Sequence, residues 1–376
     1  MPNPNAVVAT IKSIEPTLDH APADGLREGV WVEFRDGRRA WLEPGGERAL
    51  ALARVLDGLK ERRLPVYLEL DPGTSAIERV LIPHVSRVVA VQRVGETLEV
   101  RLELSHARHT LPSDSPDFEV FHNRLRKALD GRLPVVVTVD DAQQIIDVSE
   151  YTPDPEDPRP PLPDPHLPLR VPPRPDIRDI LRRFWRWYWW PWWWCFWPWR
   201  RDHCVSLGEA QNAFNAMAAK SCNPVTVPPP CIPFLYPDDG CWGRAHEMCR
   251  LMINMGLKPA KVWISGSLQV ATRNNPNCVV HWGWHVAPTL CVCRRWGLTQ
   301  DMVIDPSLFK APVTEGTWKS VQGDPGAQLT DTAWTDFLWG QTDPNFTQTN
   351  SVLANYRSAL QARSAQNGPP PYANCP

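Results

Sequence analysis

The chain reads as an α+β protein built from two unlike parts, and three observations predict it. The hydrophobic period changes from roughly 3.6 to 2 at Leu64-Pro65 and again at Leu133-Pro134, as a helix running into a strand requires. Eleven prolines fall in the 24 positions from Thr152 to Pro175 and part the chain in two. All ten cysteines lie at or beyond Cys195, so the parts differ in composition as well as in position.

Residues 1–151 read as a small duplicated α+β module. GLKERRLPVYLELDP from Gly58 and KALDGRLPVVVTVDD from Lys127 align, their Leu-Pro pairs 69 positions apart (64 against 133). In each copy an apolar-periodic helix, Ala49 to Leu59 or Phe121 to Leu129, meets a strand, Val66 to Leu70 or Val135 to Val139. A second strand follows, Ile77 to Ile82 or Ile145 to Val148, and a strand precedes each helix, Val30 to Phe34 or Leu98 to Leu104. The pattern predicts ββαββ used twice. It contains no Gly-rich phosphate loop, metal-spaced His/Cys cluster or paired carboxylates, and His84 and His122 read as packing or surface residues. A binding or regulatory role without chemistry follows.

Residues 152–180 predict an extended spacer, because proline fixes φ and lacks a donor. Residues 181–201, LRRFWRWYWWPWWWCFWPWRR, hold nine tryptophans between Phe184 and Trp199. The run is too short to span a bilayer, and Arg186, Pro191 and Pro198 interrupt it. Indoles flanked by arginines suit an anionic membrane surface. Packing along a groove of the C-terminal part is the competing reading.

A net charge of −2 and the absence of a long basic block argue against a nucleic-acid partner. The cysteine-rich C-terminal part suits an oxidising compartment, yet MPNPNAVVATIKSIEP has no secretory signature. Export without an N-terminal signal and a cytoplasmic location both stay open.

The chemistry concentrates in residues 202–361, ahead of a tail, 362–376, expected to be disordered unless Cys375 pins it. Pro237-Asp238-Asp239-Gly240 is a turn leading straight into Cys241. Apolar residues at 245, 248, 251, 252 and 255 then follow a helical spacing that Gly256 ends. Cys241 thus stands in the first turn of a helix, where free N–H groups and the dipole favour a thiolate. His285, in the β-rich VVHWGWHVAPTLCVC, is the best base, and Asp305, closing the strand MVID, is its carboxylate partner across a hairpin around RRWGLTQD. His246, on the same helix as Cys241, and His281, along the same strand as His285, compete as bases, and Asp301 competes from the loop. A zinc site from Cys291, Cys293, His281 and His285 lacks the usual ligand spacing, so no metal or organic cofactor is expected.

SCN at Ser221, PCIPFLYPDDGCWGRAHEM from Pro230, WHVAP from Trp284 and IDPSLF from Ile304 together resemble the bacterial protein-glutaminases. The resemblance covers about Leu207 to Trp334, the C-terminal part alone. It implies a transglutaminase- or papain-like cysteine-hydrolase core, a Cys241–His285–Asp305 triad, and deamidation of glutamine in a protein or peptide substrate through a thioester. Trp242, Trp284 and Tyr236 are candidate walls of the glutamine pocket, with core packing an equal explanation, and Cys222 and Cys231 bracket a loop that a short disulfide would close. Unlike members of that family, the chain shows no signal, and its N-terminal module has no evident likeness to their removable pro-region. Transglutaminase-type acyl transfer and peptide cleavage share the intermediate and are the rival chemistries. A membrane- or envelope-binding protein acting through residues 181–201 is the rival class.

Overall fold

The computed structural model describes residues 5–18, 25–152, 204–294 and 298–376. The segment 181–201, and with it the membrane reading, lies outside the described residues, as does the spacer beyond Thr152. No helix among the described residues is long and apolar enough to cross a membrane.

The N-terminal part contains β1 (Ala6–Glu15), β2 (Gly25–Leu26), β3 (Val30–Phe34), β4 (Arg39–Leu42), β5 (Gly45–Gly46), α1 (Glu47–Glu61), β6 (Pro65–Leu70) and β7 (Ile77–Leu81). Five of these strands form an antiparallel sheet in the order β4-β3-β1-β6-β7, with β2 and β5 paired beside it. The chain then makes β8 (His84–Val94), β9 (Thr97–Leu102), β10 (His109–Pro112), α2 (Phe118–Gly131), β11 (Pro134–Val139) and β12 (Ile145–Glu150). Their sheet runs β10-β9-β8-β11-β12, the same path as the first. Each unit therefore has three strands before its helix, which corrects the expected ββαββ. The four-residue edge strands β4 and β10 are too short for an alternation to stand out. Each helix closes its own core, α1 with Ala53, Leu56 and Leu59, and α2 with Phe121, Leu125 and Ala128. The expected strand Leu98 to Leu104 stops at Leu102, where a turn begins, although Glu103 N–H still donates to Arg87 O of β8.

The C-terminal part is built on a sheet of order β16-β15-β14-β13-β17: β13 (Ala260–Ala271), β14 (Val279–Cys293), β15 (Thr299–Val303), β16 (Val313–Thr314) and β17 (Gln328–Ala333). A ribbon of β18 (Asp336–Leu338) and β19 (Gln341–Thr342) follows. Helix α3 (Leu207–Ala218) starts with a Ser206/Glu209 capping box, in which each side chain satisfies the other residue's N–H. Helix α4 (Cys241–Asn254) packs on β14, α5 (Glu315–Ser320) beside β15, and α6 (Thr347–Asn367) against α4 and α1. Residues 362–376 are not a disordered tail: α6 continues to Asn367, and Cys375 is bonded to Cys278. Six consecutive residues of α6, Leu360 to Ala365, are buried, so this stretch offers no amphipathic stripe to read. Cys204–Cys291 and the anticipated Cys222–Cys231 are also disulfides.

The two parts are joined by polar contacts from α6. Arg62 donates to Asn355 and Ser358 at 2.6 and 2.8 Å. The backbone of Val80 exchanges two hydrogen bonds with the Gln366 amide. Arg363 pairs with Asp141 at 2.7 Å on one side and with Asp238 at 2.6 Å on the other.

Gly240, the residue before α4, has φ +82°, and a Cβ there would stand 2.2 Å from the Tyr356 ring. Gly240→Ala combines left-handed strain with overpacking and is expected to cost about 2–4 kcal/mol. A lowered midpoint in thermal or chemical unfolding checks this.

Candidate active site

Cys241 is the first residue of α4, as its sequence setting predicts. The N-cap residue, Gly240, offers no side chain to this helix end, which leaves its leading N–H groups without a capping acceptor from it. His285 lies on β14, and the β14–β15 hairpin pairs Thr289 with Val303. Asp305 follows two residues after Val303, and Ile304 N–H donates to Pro288 O. This register brings Asp305 Oδ2 to 2.9 Å from His285 Nε2. Trp318 Nε1 donates to the same oxygen at 2.9 Å, and Ser307 N–H donates to Oδ1. The imidazole of His285 stacks between Trp282, centroids 4.5 Å apart, and Trp318, at 5.5 Å. Its Nδ1 is buried with no hydrogen-bond partner among the described residues.

The group closest to the Cys241 sulfur is one that the sequence did not single out. His106, between β9 and β10 of the N-terminal part, places Nδ1 2.9 Å from Cys241 Sγ. Donor atoms of His106, Cys241 and His285 lie within 4.8 Å of one another. The His106 ring stands edge-on to Trp242, Trp282 and Trp284. Trp242 and Trp284, the candidate pocket walls, both pack edge-on against the His106 ring, with their own centroids 5.7 Å apart. Tyr236 sits further out, stacked on Tyr356 under the Arg363 guanidinium. Tyr236 and Trp242 also line a cleft of about 1340 Å³ between the two parts.

The loop carrying His106 is held from both ends. Arg87 and Glu103 form a buried bidentate pair at 2.7 Å, and Ser86 Oγ accepts the Leu104 N–H. The Pro237–Gly240 turn grips the other side. His106 N–H donates to Asp239 Oδ1 at 3.1 Å, and His84 Nδ1 lies 3.8 Å from Asp239 Oδ2. Asp238 accepts from Gln143, Asn275 and Arg363. The two aspartates of the turn are thus buried anchors for the N-terminal part. An Asp-Asp-Gly turn signals none of this, because the partners are remote in sequence.

The rival residues lie elsewhere. His246 faces away from the sulfur, its Nδ1 2.9 Å from Lys261 Nζ, and burial pushes its pKa down to about 4. His281 is half-buried beside Arg108. Asp301 is in β15 opposite Cys291 rather than in a loop. The zinc cluster built on Cys291 is unavailable to a metal, since that sulfur is bonded to Cys204. Among the described residues, His106, Cys241 and His285 are the ones whose donors gather closely enough for an ion.

Burial pushes the Cys241 thiol well up and Asp239 adds to it, against Arg244 and the Val286 N–H. Burial also pushes His285 down, so the enclosure favours the neutral form of each. Burial would raise Asp305 too, but His285, Trp318 and Arg244 outweigh it and hold the carboxyl below the usual carboxylate range.

A family model described as glutaminase matches residues 210–322. The chain is similar to the crystal structure of a pro-protein-glutaminase, with 22% identity and a TM-score of 0.48 over 79% of this chain and 99% of the other. It is also similar to a protein-glutaminase from Chryseobacterium proteolyticum solved by NMR. There the identity is 30% and the TM-score 0.38, over 46% of this chain and 98% of that one. Among curated proteins nothing matches.

His84 and His106 meet Asp239 of the C-terminal part, His109 packs against His84, and burial is the largest cause that lowers each. Asp239 and Asp238 partly oppose this at His84. Unfolded histidines take up protons near pH 6.5 while these resist, so the unfolded chain binds more protons just below that value. The stability they contribute is complete above about pH 6.5 and is lost as pH falls. Asp239, raised by burial, acts in the opposite sense closer to the carboxylate range. The thermal unfolding midpoint should therefore drop between about pH 7.5 and about pH 5.5.

Proposed function

The C-terminal part of this chain belongs to the protein-glutaminase family, and we propose that it hydrolyses the side-chain amide of protein-bound glutamine through a thioester on Cys241. The observation that carries this reading is a thiol at the open end of α4, within 4.8 Å of an imidazole whose far nitrogen is fixed to a buried carboxylate. The placement of α4 against the β13–β14–β15 sheet supports a transglutaminase- or papain-like core.

The chemistry follows from those positions. His285 Nδ1 takes the Cys241 proton, and the sulfur attacks the carboxamide carbon. The Cys241 N–H at the helix start donates to the developing oxyanion. The imidazolium, steadied by Asp305, returns the proton to the leaving nitrogen, and ammonia departs. His285 then deprotonates a water that attacks the thioester carbon. The C–S bond breaks, the sulfur regains its proton and glutamate remains. Asp305 is positioning rather than reactive. It fixes the tautomer with Nε2 protonated, which leaves the Nδ1 lone pair toward the sulfur.

In the arrangement described, His106 fills the place where an amide would approach. The N-terminal part therefore acts as an intramolecular block, and the matching order of its two sheets supports a duplicated module. Three disulfides suit an oxidising compartment.

Ammonia release from an unfolded glutamine-rich protein, with mass spectrometry locating new glutamate, tests the activity. Cys241→Ala should abolish it, and Asp305→Asn should lower kcat by about 10⁴-fold. Crosslinked or shortened products instead of glutamate would move the reading to acyl transfer or peptide cleavage. His106→Ala removes the block and should speed alkylation of Cys241 by roughly tenfold or more at about pH 8. An unchanged rate would show that His106 does not control access.

A further inference from the structure

The groups around the Cys241 sulfur form a donor set for a metal ion as well as a block. Donor atoms of His106, Cys241 and His285 lie within 4.8 Å of one another, with His106 Nδ1 2.9 Å from the sulfur. Each of the three residues is only 1% exposed. His285 commits Nε2 to Asp305 Oδ2 at 2.9 Å, so the lone pair it can offer is on Nδ1, a buried nitrogen with no hydrogen-bond partner among the described residues. With its proton on Nε2, His106 offers Nδ1 in the same way. Its loop is steadied by its own N–H on Asp239 Oδ1, an oxygen that also lies 3.2 Å from Nδ1. A tetrahedral zinc ion, bonded at about 2.3 Å to sulfur and about 2.0–2.1 Å to nitrogen, holds such donors about 3.3–3.6 Å apart. An outward shift of His106 by less than about 1 Å from its present approach reaches that spacing.

We propose that the closed chain binds a zinc ion through His106 Nδ1, Cys241 Sγ and His285 Nδ1, as a latch between its two parts rather than as a cofactor of catalysis. The proposal goes beyond the deamidase reading and stands on the donor geometry alone. One thiolate and two imidazoles are a ligand set suited to zinc, and a water completes the tetrahedron. Asp305 behind His285 Nε2 is the outer carboxylate that orients a metal-bound imidazole and raises its basicity. Binding breaks the Cys241 S–H bond, forms a Zn–S bond and releases the proton to solvent, with no change of oxidation state. The charges of the ion, the Cys241 thiolate and the Asp305 carboxylate sum to zero, and Arg244 and Asp239 add one group of each sign around the sulfur. A buried site balanced in this way avoids the cost of an isolated charge. His106 comes from the N-terminal part and the other two ligands from the C-terminal part, so the full set exists only while the parts are together. By mass action zinc therefore favours the closed arrangement, and it covers the sulfur while it does so.

The test titrates zinc into the full chain in competition with a chromophoric chelator. One zinc per chain should bind, and the thermal unfolding midpoint should rise with zinc concentration. Asp305→Asn should weaken binding by roughly 10- to 100-fold, and Cys241→Ser, His106→Ala and His285→Ala should each weaken it further. His281→Ala, on the same strand but half-buried beside Arg108, should leave the affinity unchanged. Cobalt in place of zinc should show a thiolate-to-metal charge-transfer band that Cys241→Ser abolishes. Should a ligand variant fail to fold, the native chain decides by itself. Zinc should slow alkylation of Cys241 by roughly tenfold or more, a chelator should restore the rate, and mass spectrometry should place the protection at that residue. No binding tighter than about 10 μM overturns the inference. Binding that survives Cys241→Ser or His285→Ala, or protection that falls on Cys249 or Cys293 instead, overturns it as well. Full affinity in a folded His106→Ala chain does the same, because the ion would then belong to the C-terminal part alone. None of these readouts uses ammonia release, so the deamidase reading stands or falls separately.

Discussion

The contact on which the rest of this structure depends is the 2.9 Å approach of His106 to the Cys241 sulfur. It joins a residue of the first part of the chain to one 135 positions later, in a space without room for water-filled solvation of either group. A thiol this enclosed favours its neutral form, and so does each imidazole beside it. Closure thus does two things at once. On the proposed mechanism it fills the position of the substrate amide, and it disfavours the thiolate–imidazolium pair that the mechanism uses. Withdrawal of the loop would reverse both, because the Trp-lined space opens to water while His285 keeps its carboxylate.

That His285 keeps its place is a matter of packing as much as of charge. The ring is stacked between two indoles, and one of these, Trp318, also donates to the Asp305 oxygen that receives the His285 N–H. The carboxylate therefore has two buried donors on one oxygen and the Ser307 N–H on the other. This is how a buried charge is usually tolerated. None of these groups belongs to the N-terminal part, so the pairing of His285 with Asp305 does not rely on that part for its geometry.

The block is held by groups that combine charge and burial. Arg363 is shared by Asp238 of the turn before α4 and Asp141 of the N-terminal part. A buried pair of this sort contributes little net stability relative to an apolar contact, but removing one member strands the other. The interface is accordingly specific in register, which suits the proposed role of the N-terminal part as a block that withdraws.

Much of the catalytic end was legible because local rules govern it. A Pro-Asp-Asp-Gly turn, a helical apolar spacing and a glycine stop place Cys241 at a helix start whatever lies around it. A hairpin between two apolar runs likewise places Asp305 near His285 through register alone. The repeated Leu-Pro junctions revealed the helices and strands that flank them, while four-residue edge strands were too short to register. What tertiary structure decided was everything that depends on remote neighbours. His106 carries no motif around it and was not singled out, and α6 concealed its last turns by being buried on several sides. Asp238 and Asp239 passed for turn residues, although they hold the N-terminal part. Periodicity and turn chemistry report on residues a few positions apart, whereas the occupant of a buried site is chosen by which surfaces of the folded chain fit together.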